Sequence, residues 1–154
     1  MNRLIACVGL PRSGKTTWAR TVGAPIVCPD AIRLALHGHR YIADAEPFVW
    51  ATALVMARAL FLAGHDLVIV DATNSTRVRR DFWRPSGPTQ HPTKEHPGLW
   101  RLEFKLFDVS AEECIRRARA AHDEEIVSVI QRMAANWEPL GPDEIQTPVE
   151  AISR

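Results

Sequence analysis

The chain has 154 residues, enough for one globular domain with a substantial core, and 46% of them are hydrophobic. Its formal net charge is +1 and its pI is about 7.8, so no overall positive field is available to attract a polyanion such as nucleic acid. Any polyanion site must therefore be a local cluster of basic residues.

The first predicted element is a strand at residues 3–8, where Leu4-Ile5-Ala6-Cys7-Val8 forms a continuous apolar run. The stretch that follows, Gly9 to Thr16, fits the pattern G-x-x-x-x-G-K-[ST] of a phosphate-binding loop. A helix is predicted to continue from it over residues 15–21. Backbone N–H groups of such a loop, together with the N-terminus of the helix, bind polyphosphate. The alternative interpretation is an ordinary glycine turn between a strand and a helix.

This loop predicts ATP and Mg²⁺ as cofactors. Lys15 is expected to reach the β- and γ-phosphates, and the Thr16 hydroxyl to ligate Mg²⁺. Arg12 is an additional cation in the loop, and its side chain either touches phosphate or faces solvent. The predicted nucleotide-binding residues are Gly9, Leu10, Pro11, Arg12, Ser13, Gly14, Lys15, Thr16 and Thr17.

Further along the chain, short apolar runs predict strands at residues 25–28, 67–70 and 100–107. Helices are predicted between and after them, at residues 31–36, 47–62, 77–83, 111–121 and 124–137. This alternation, with continuous runs such as Leu67 to Val70, indicates an α/β fold: a three-layer P-loop NTPase sandwich with a mostly parallel sheet of four to five strands.

Residues 1–154 are predicted to form a single domain, with an inserted proline-rich loop at 85–98 and a C-terminal tail at 139–154. The tail is expected to add a short edge strand near residues 149–152. The apolar stretch at 48–63 is predicted to be a buried helix and not a membrane span, because it is short and Arg58 interrupts it.

Polar residues follow two of the predicted strands, at the edge where ligands of a parallel sheet bind. Asp30 is expected to accept a proton from an attacking hydroxyl or to lie near Mg²⁺, and otherwise to cap a helix that begins at Ala31. Asp71 is expected to order Mg²⁺ and its water, or else to start a turn. Asn74 belongs to that turn or presents hydrogen-bonding groups to the substrate. Arg33 pairs with an anionic substrate or is an exposed helix arginine.

The helix after the fourth strand carries several arginines. Ser110 and Glu113 form a capping box, which predicts that the helix begins there. Arg117 and Arg119 flank its apolar stripe, so either is a candidate catalytic residue that neutralises charge on the transferred phosphoryl group. A solvated basic face is the alternative.

Taken in order, these stretches resemble the kinase domain of bacteriophage polynucleotide 5′-kinase and the group of small P-loop kinases that includes zeta toxins. The matching segments are GLPRSGKTTWAR, CPDAIR, VIVDATN followed by RR, FDVSAEECIRRARA and QRMAANWEP. The resemblance implies that Asp30 is the general base for the acceptor hydroxyl and that Arg33 contacts the phosphate and base of the acceptor. It also implies a lid arginine, which falls on Arg117 or Arg119.

The leading hypothesis is an ATP-dependent kinase that acts on the 5′-hydroxyl of a polynucleotide, RNA or DNA. Arg33 and Arg40, with nearby His37, His39 and Tyr41, are expected to line the acceptor side. Such a set suits a phosphate backbone and a stacked base, but it also suits a sugar nucleotide. A kinase of a small hydroxylated metabolite and a nucleotide-binding ATPase without an acceptor are therefore the alternatives.

Three cysteines without a C-x-x-C pair favour a reducing cytoplasm over a disulfide-bonded or metal-bound protein. Neither a membrane nor an obligate protein partner is expected.

Overall fold

The computed structural model describes residues 2–85 and 100–148. The strands are β1 (Asn2–Val8), β2 (Ile26–Val27), β3 (Leu67–Val70) and β4 (Trp100–Leu106). The helices are α1 (Lys15–Val22), α2 (Pro29–His37), α3 (Glu46–Leu62), α4 (Arg77–Asp81), α5 (Ala111–Ala120) and α6 (Glu125–Ala135), with a short 3₁₀ turn at Ala43–Ala45. Each bound lies within two residues of the one predicted from the sequence.

The strands form one parallel four-stranded sheet in the order β2-β3-β1-β4, which confirms the predicted α/β fold. In a parallel sheet the carboxyl ends of all strands lie at the same edge. The phosphate loop after β1, Asp30 after β2 and Asp71 after β3 are therefore brought to one side of the domain.

Helices cover both faces of the sheet. Successive residues of β1 point to opposite faces, so they pack against different helices. Leu4, Ala6 and Val8 pack in a cluster with α3, whereas Ile5 and Cys7 belong to a second cluster with α1. A third cluster joins α5 and α6 to Leu10 of the phosphate loop; its buried members are Leu10, Cys114, Ala118, Val127 and Ile130. The outcome is the expected three-layer arrangement.

Helix α3 was predicted to be buried, and this is correct for one of its faces only. Its buried stripe packs on the sheet through Val49, Ala53, Ala57 and Phe61. On the opposite face Phe48, Val55 and Leu62 are 69%, 61% and 54% exposed, because the sheet covers a single side of the helix. By length and composition alone, the stretch Ala43–Leu62 is apolar enough to cross a membrane, since an 18-residue window within it has a mean hydropathy of 1.4.

The C-terminal segment is attached to the domain by a buried ion pair that the sequence analysis did not identify. Arg80 is 1% exposed and donates to the carboxylate of Glu144 at 2.7 and 3.1 Å. It also donates to the main-chain carbonyls of Asn74, Glu138 and Pro139.

Part of the predicted tail and loop can be compared with the structure. Gln146 forms a parallel bridge with Phe104 at the outer edge of β4. The edge strand predicted at 149–152 lies outside the described residues, and so does nearly all of the predicted insertion at 85–98.

Candidate functional site

The phosphate loop requires glycine at two positions. A Cβ atom added to Gly9 would lie 2.5 Å from Ser13 Oγ and 2.9 Å from Phe107 Cβ, so a side chain does not fit there. Gly14 has a φ of +100°, which L-residues with a side chain rarely adopt, and it directly precedes α1. The chain thus turns sharply from β1 into a helix N-terminus, the geometry that binds anions through main-chain N–H groups.

Lys15 is held in place by the loop itself. Its side chain is 7% exposed, and Nζ donates to the carbonyls of Gly9 at 2.9 Å and Leu10 at 2.7 Å. Burial lowers the pKa of Lys15, while Asp71 and Asp30 act in the opposite direction as nearby negative charges. The ammonium group is therefore fixed where it can contact phosphates bound in the loop.

Thr16 and Asp71, the two predicted Mg²⁺ ligands, are in direct contact. Thr16 Oγ1 donates to Asp71 Oδ2 at 2.7 Å, and Asp71 is 7% exposed at the end of β3. A hydroxyl and a carboxylate oxygen are a fitting donor set for Mg²⁺, which binds through one or two protein oxygens with phosphates and water. Within the described ranges, no group of three or more His, Cys, Asp and Glu side chains forms a denser metal site.

Asp30 does not cap a helix, so that part of the prediction is wrong. Helix α2 begins at Pro29 and its N-cap is Cys28, which makes no side-chain capping bond. Proline is favoured at the first position of a helix, a signal that the sequence analysis did not use. Asp30 lies in the first turn, where a negative charge is favoured by the helix dipole. Its side chain is 85% exposed and accepts a 2.7 Å hydrogen bond from Arg33 Nη1.

Arg33, a predicted substrate residue, is engaged by two carboxylates. Its guanidinium donates to Glu46 at 2.9 and 2.6 Å in addition to its bond with Asp30, and its side chain is 14% exposed. Burial alone would lower the pKa of Arg33, but the pair with Glu46 raises it. The same pair lowers the pKa of Glu46. Arg33 thus orients Asp30 and has few donors left for a substrate.

Arg79 is a second arginine beside Arg33, and the sequence alone did not mark it as a site residue. Its guanidinium carbon lies 4.7 Å from the centre of the Trp50 ring, and that of Arg33 lies 5.9 Å from the same ring. The Arg79 side chain is exposed, and nothing within residues 2–85 and 100–148 forms an ion pair or hydrogen bond with its guanidinium. The indole N–H of Trp50 lies near enough to the Glu46 carboxylate to lower its pKa, although the two atoms do not reach full hydrogen-bond geometry.

Arg40 was predicted to line the acceptor side, but the structure places its guanidinium on the turn between α5 and α6. It donates to Asp123 at 2.8 and 2.9 Å and to Glu125 at 3.1 Å. Arg12 also donates to Asp123, at 2.9 Å. These two guanidinium groups lower the pKa of Asp123, Arg40 more than Arg12.

The two candidate lid arginines differ in what they contact. Arg117 donates to the main-chain carbonyl of Arg12 in the phosphate loop at 3.1 Å and to Glu113 at 3.0 Å. Arg119 is 59% exposed and pairs with Glu124 at 3.3 Å. Of the two, Arg117 is the one that the structure brings to the phosphate loop.

Asn74 has a structural position, which corrects its assignment as a substrate residue. Its side chain is 1% exposed; the amide nitrogen donates to the carbonyl of Cys7 at 2.7 Å, and the amide oxygen accepts from Trp83 Nε1 at 3.1 Å. Its φ of +45° is a left-handed conformation that asparagine tolerates better than most residues. The bond to Cys7 joins the end of β3 to β1. Because the side chain turns inward and both of its polar atoms have partners, it does not face a substrate.

Comparison with known proteins agrees with the fold. A family model described as an AAA domain matches residues 4–140. A chain of the Pnkp1/Rnl/Hen1 RNA repair complex is similar, with a TM-score of 0.61 and 20% identity over 89% of this chain. A sugar kinase from Janibacter sp. has a TM-score of 0.65 and 24% identity over 99% of this chain, and a gluconokinase from Sinorhizobium meliloti has a TM-score of 0.58 and 20% identity over 97%. The chain spans 46% of the repair-complex chain, 90% of the sugar kinase and 86% of the gluconokinase.

Proposed function

Because the chain belongs to the AAA domain family and has the fold of P-loop kinases, we propose that it transfers the γ-phosphate of ATP to the 5′-hydroxyl of a polynucleotide. The strongest support comes from the position of Asp30. Val27 of β2 pairs with Val70 of β3, so Asp30 and Asp71 follow neighbouring strands at one edge of the sheet. At that edge Asp71 accepts a hydrogen bond from Thr16, whereas the Asp30 carboxylate is exposed and is oriented by its bond with Arg33.

In the proposed reaction, Asp30 accepts the proton of the acceptor hydroxyl as its oxygen attacks the γ-phosphorus. The bond between that phosphorus and the β–γ bridging oxygen breaks, and ADP leaves. Lys15 neutralises charge on the phosphates, and Arg117 lies next to the loop to stabilise charge that develops during transfer. Mg²⁺ held by Thr16 and Asp71 would supply further neutralisation of the β- and γ-phosphates.

Support for a polynucleotide acceptor comes from three features. The D-x-x-R spacing of Asp30 and Arg33 resembles the polynucleotide kinase group. The similar chain from an RNA repair complex has the same fold. Arg79, whose exposed side chain lies over the same Trp50 ring as Arg33, provides a further cation beside Arg33 that suits a phosphate of the acceptor.

A kinase of a small hydroxylated metabolite is the second candidate, and one observation favours it. The guanidinium groups of Arg33 and Arg40 are both occupied by carboxylates. This pairing reduces the positive charge available to a phosphate backbone, whose binding depends on the number of cations in contact. Such a charge balance suits an acceptor with a single anionic group or none.

Transfer of γ-labelled phosphate from ATP distinguishes these functions. The acceptors are RNA and DNA oligonucleotides with a 5′-hydroxyl, the same oligonucleotides with a 5′-phosphate, nucleosides, glucose and gluconate. We expect labelling of 5′-hydroxyl oligonucleotides only, and its loss in Asp30→Asn. Labelling of a sugar or nucleoside alone would replace the polynucleotide by a small acceptor, and ATP hydrolysis that no acceptor stimulates would refute a kinase.

A further inference from the structure

Three segments that are distant in the sequence meet at Asp123, in the turn between α5 and α6. Arg12 reaches it from the tip of the phosphate loop, and Arg40 from the segment after α2, with three donor–acceptor distances of 2.9, 2.8 and 2.9 Å. The Asp123 side chain is 15% exposed, compared with 40% for Arg12 and 49% for Arg40. The Asp123 carboxylate thus lies between the guanidinium groups of Arg12 and Arg40 and bridges them.

The main chain on both sides of this contact is strained. Arg12 has a φ of +68°, and His122, which precedes Asp123, has a φ of +56°. A residue with a side chain loses stability in this left-handed region, where glycine would not. Glycine at position 12 would avoid this conformational cost, whereas Arg12 makes contacts with the α5–α6 region that glycine could not make through its side chain.

The tip of the phosphate loop is fixed to that region twice. The guanidinium of Arg12 binds Asp123, and the carbonyl oxygen of Arg12 accepts a hydrogen bond from Arg117 at 3.1 Å. Arg40, in turn, follows the helix whose first turn carries Asp30. A shift of Asp123 would therefore displace both the loop that binds phosphates and the segment that continues from the proposed base.

We propose that Asp123 is a positioning residue that joins the phosphate loop to the acceptor-side segment, so that nucleotide and acceptor strengthen each other's binding. The coupling is reciprocal, since two ligands that favour the same arrangement of a shared element each raise the affinity for the other. The acceptor half of this inference rests on the proposed function, whereas the link between Arg12 and Asp123 does not.

The first test measures binding of a non-hydrolysable ATP analogue to the full chain, with and without a 5′-hydroxyl oligonucleotide. In the unmodified protein we expect the oligonucleotide to tighten analogue binding about fivefold or more, the lower range of measured couplings. Asp123→Asn and Arg40→Gln should abolish this effect. Glu124→Gln is the matched control, because it removes the neighbouring carboxylate of the same turn, and it should retain the effect.

The second test is a double-mutant cycle that needs no acceptor. Intrinsic ATP hydrolysis is measured for Arg12→Gly, Asp123→Asn and the double variant, with thermal unfolding as the check on folding. Each single variant should reduce the rate about 10- to 100-fold, the effect of small misplacement, and the double variant no further. Arg12→Gly relieves the strained φ, so a loss of rate in a fully folded variant is not explained by instability.

Additive losses in this cycle, or unchanged rates in both single variants, would overturn the positioning role. Coupling that survives in Asp123→Asn would overturn the link to the acceptor side. If the oligonucleotide is not phosphorylated but the cycle is non-additive, the polynucleotide assignment fails while the role of Asp123 in the phosphate loop stands.

Discussion

Replacing Asp30 by asparagine separates its chemical role from its structural one. The carboxylate is 85% exposed and does not cap α2, so its loss removes only a first-turn charge and an exposed pair with Arg33. The first is worth about 0.3–1 kcal/mol and the second about 0.3–0.5 kcal/mol. The asparagine oxygen can still accept from Arg33, which Glu46 holds independently. Stability should therefore fall by about 1.5 kcal/mol or less, whereas phosphoryl transfer should slow by about 10²- to 10⁴-fold.

Single-turnover transfer from ATP, measured beside thermal unfolding, checks both parts of this expectation. Asp44→Asn is the matched control: it removes an exposed carboxylate from the nearby 3₁₀ turn and should leave both measurements unchanged. Nucleotide affinity of Asp30→Asn should hold or improve, because a negative charge near the phosphates is removed. Transfer at the unmodified rate by Asp30→Asn would eliminate the general base, and a loss of several kcal/mol in stability would show that the local structure depends on this carboxylate.

Four further variants test the other parts of the site. Lys15→Ala should abolish transfer with the fold retained, as measured by transfer assays and circular dichroism, because the fixed ammonium would no longer contact the phosphates. Asp71→Asn should raise the Mg²⁺ concentration needed for half-maximal rate, and an unchanged Mg²⁺ titration would remove it from the metal site. Asn74→Ala should destabilise the protein by about 1–3 kcal/mol in urea unfolding, since two buried partners lose their hydrogen bonds, while the KM for acceptor stays the same in the folded enzyme. Arg79→Gln should reduce the log–log salt dependence of oligonucleotide binding by about 0.7, whereas Arg77→Gln, whose guanidinium is already paired with carboxylates, should not.

The fold could be predicted from the sequence because its signals are local. The apolar runs of β1 and β3, the glycines of the phosphate loop and the capping box at Ser110 each specify a conformation within a few residues. The Thr16–Asp71 contact joins residues 55 positions apart in the sequence, yet it could also be predicted, because a parallel sheet brings the residue after each strand to a common edge.

The partners of the arginines could not be predicted in this way. Arg33 binds a carboxylate 13 residues away and Arg40 one that is 83 residues away, and no spacing or period in the sequence marks either pair. The two alternatives for Asn74 could not be separated for a related reason, since a polar residue after a strand turns toward the cleft or toward the core according to what the neighbouring elements offer.

These pairings bear directly on what the enzyme can recognise. An arginine contributes less to the binding of a polyanion when a carboxylate of the same protein already neutralises its guanidinium. On the acceptor side, Glu46 and Asp123 engage the guanidinium groups of Arg33 and Arg40. Arg33 is thereby fixed to orient Asp30, and Arg40 to join the α5–α6 turn. In the proposed kinase, discrimination between a polynucleotide and a small acceptor would therefore depend on Arg79 and on how far a bound phosphate can compete for the paired arginines.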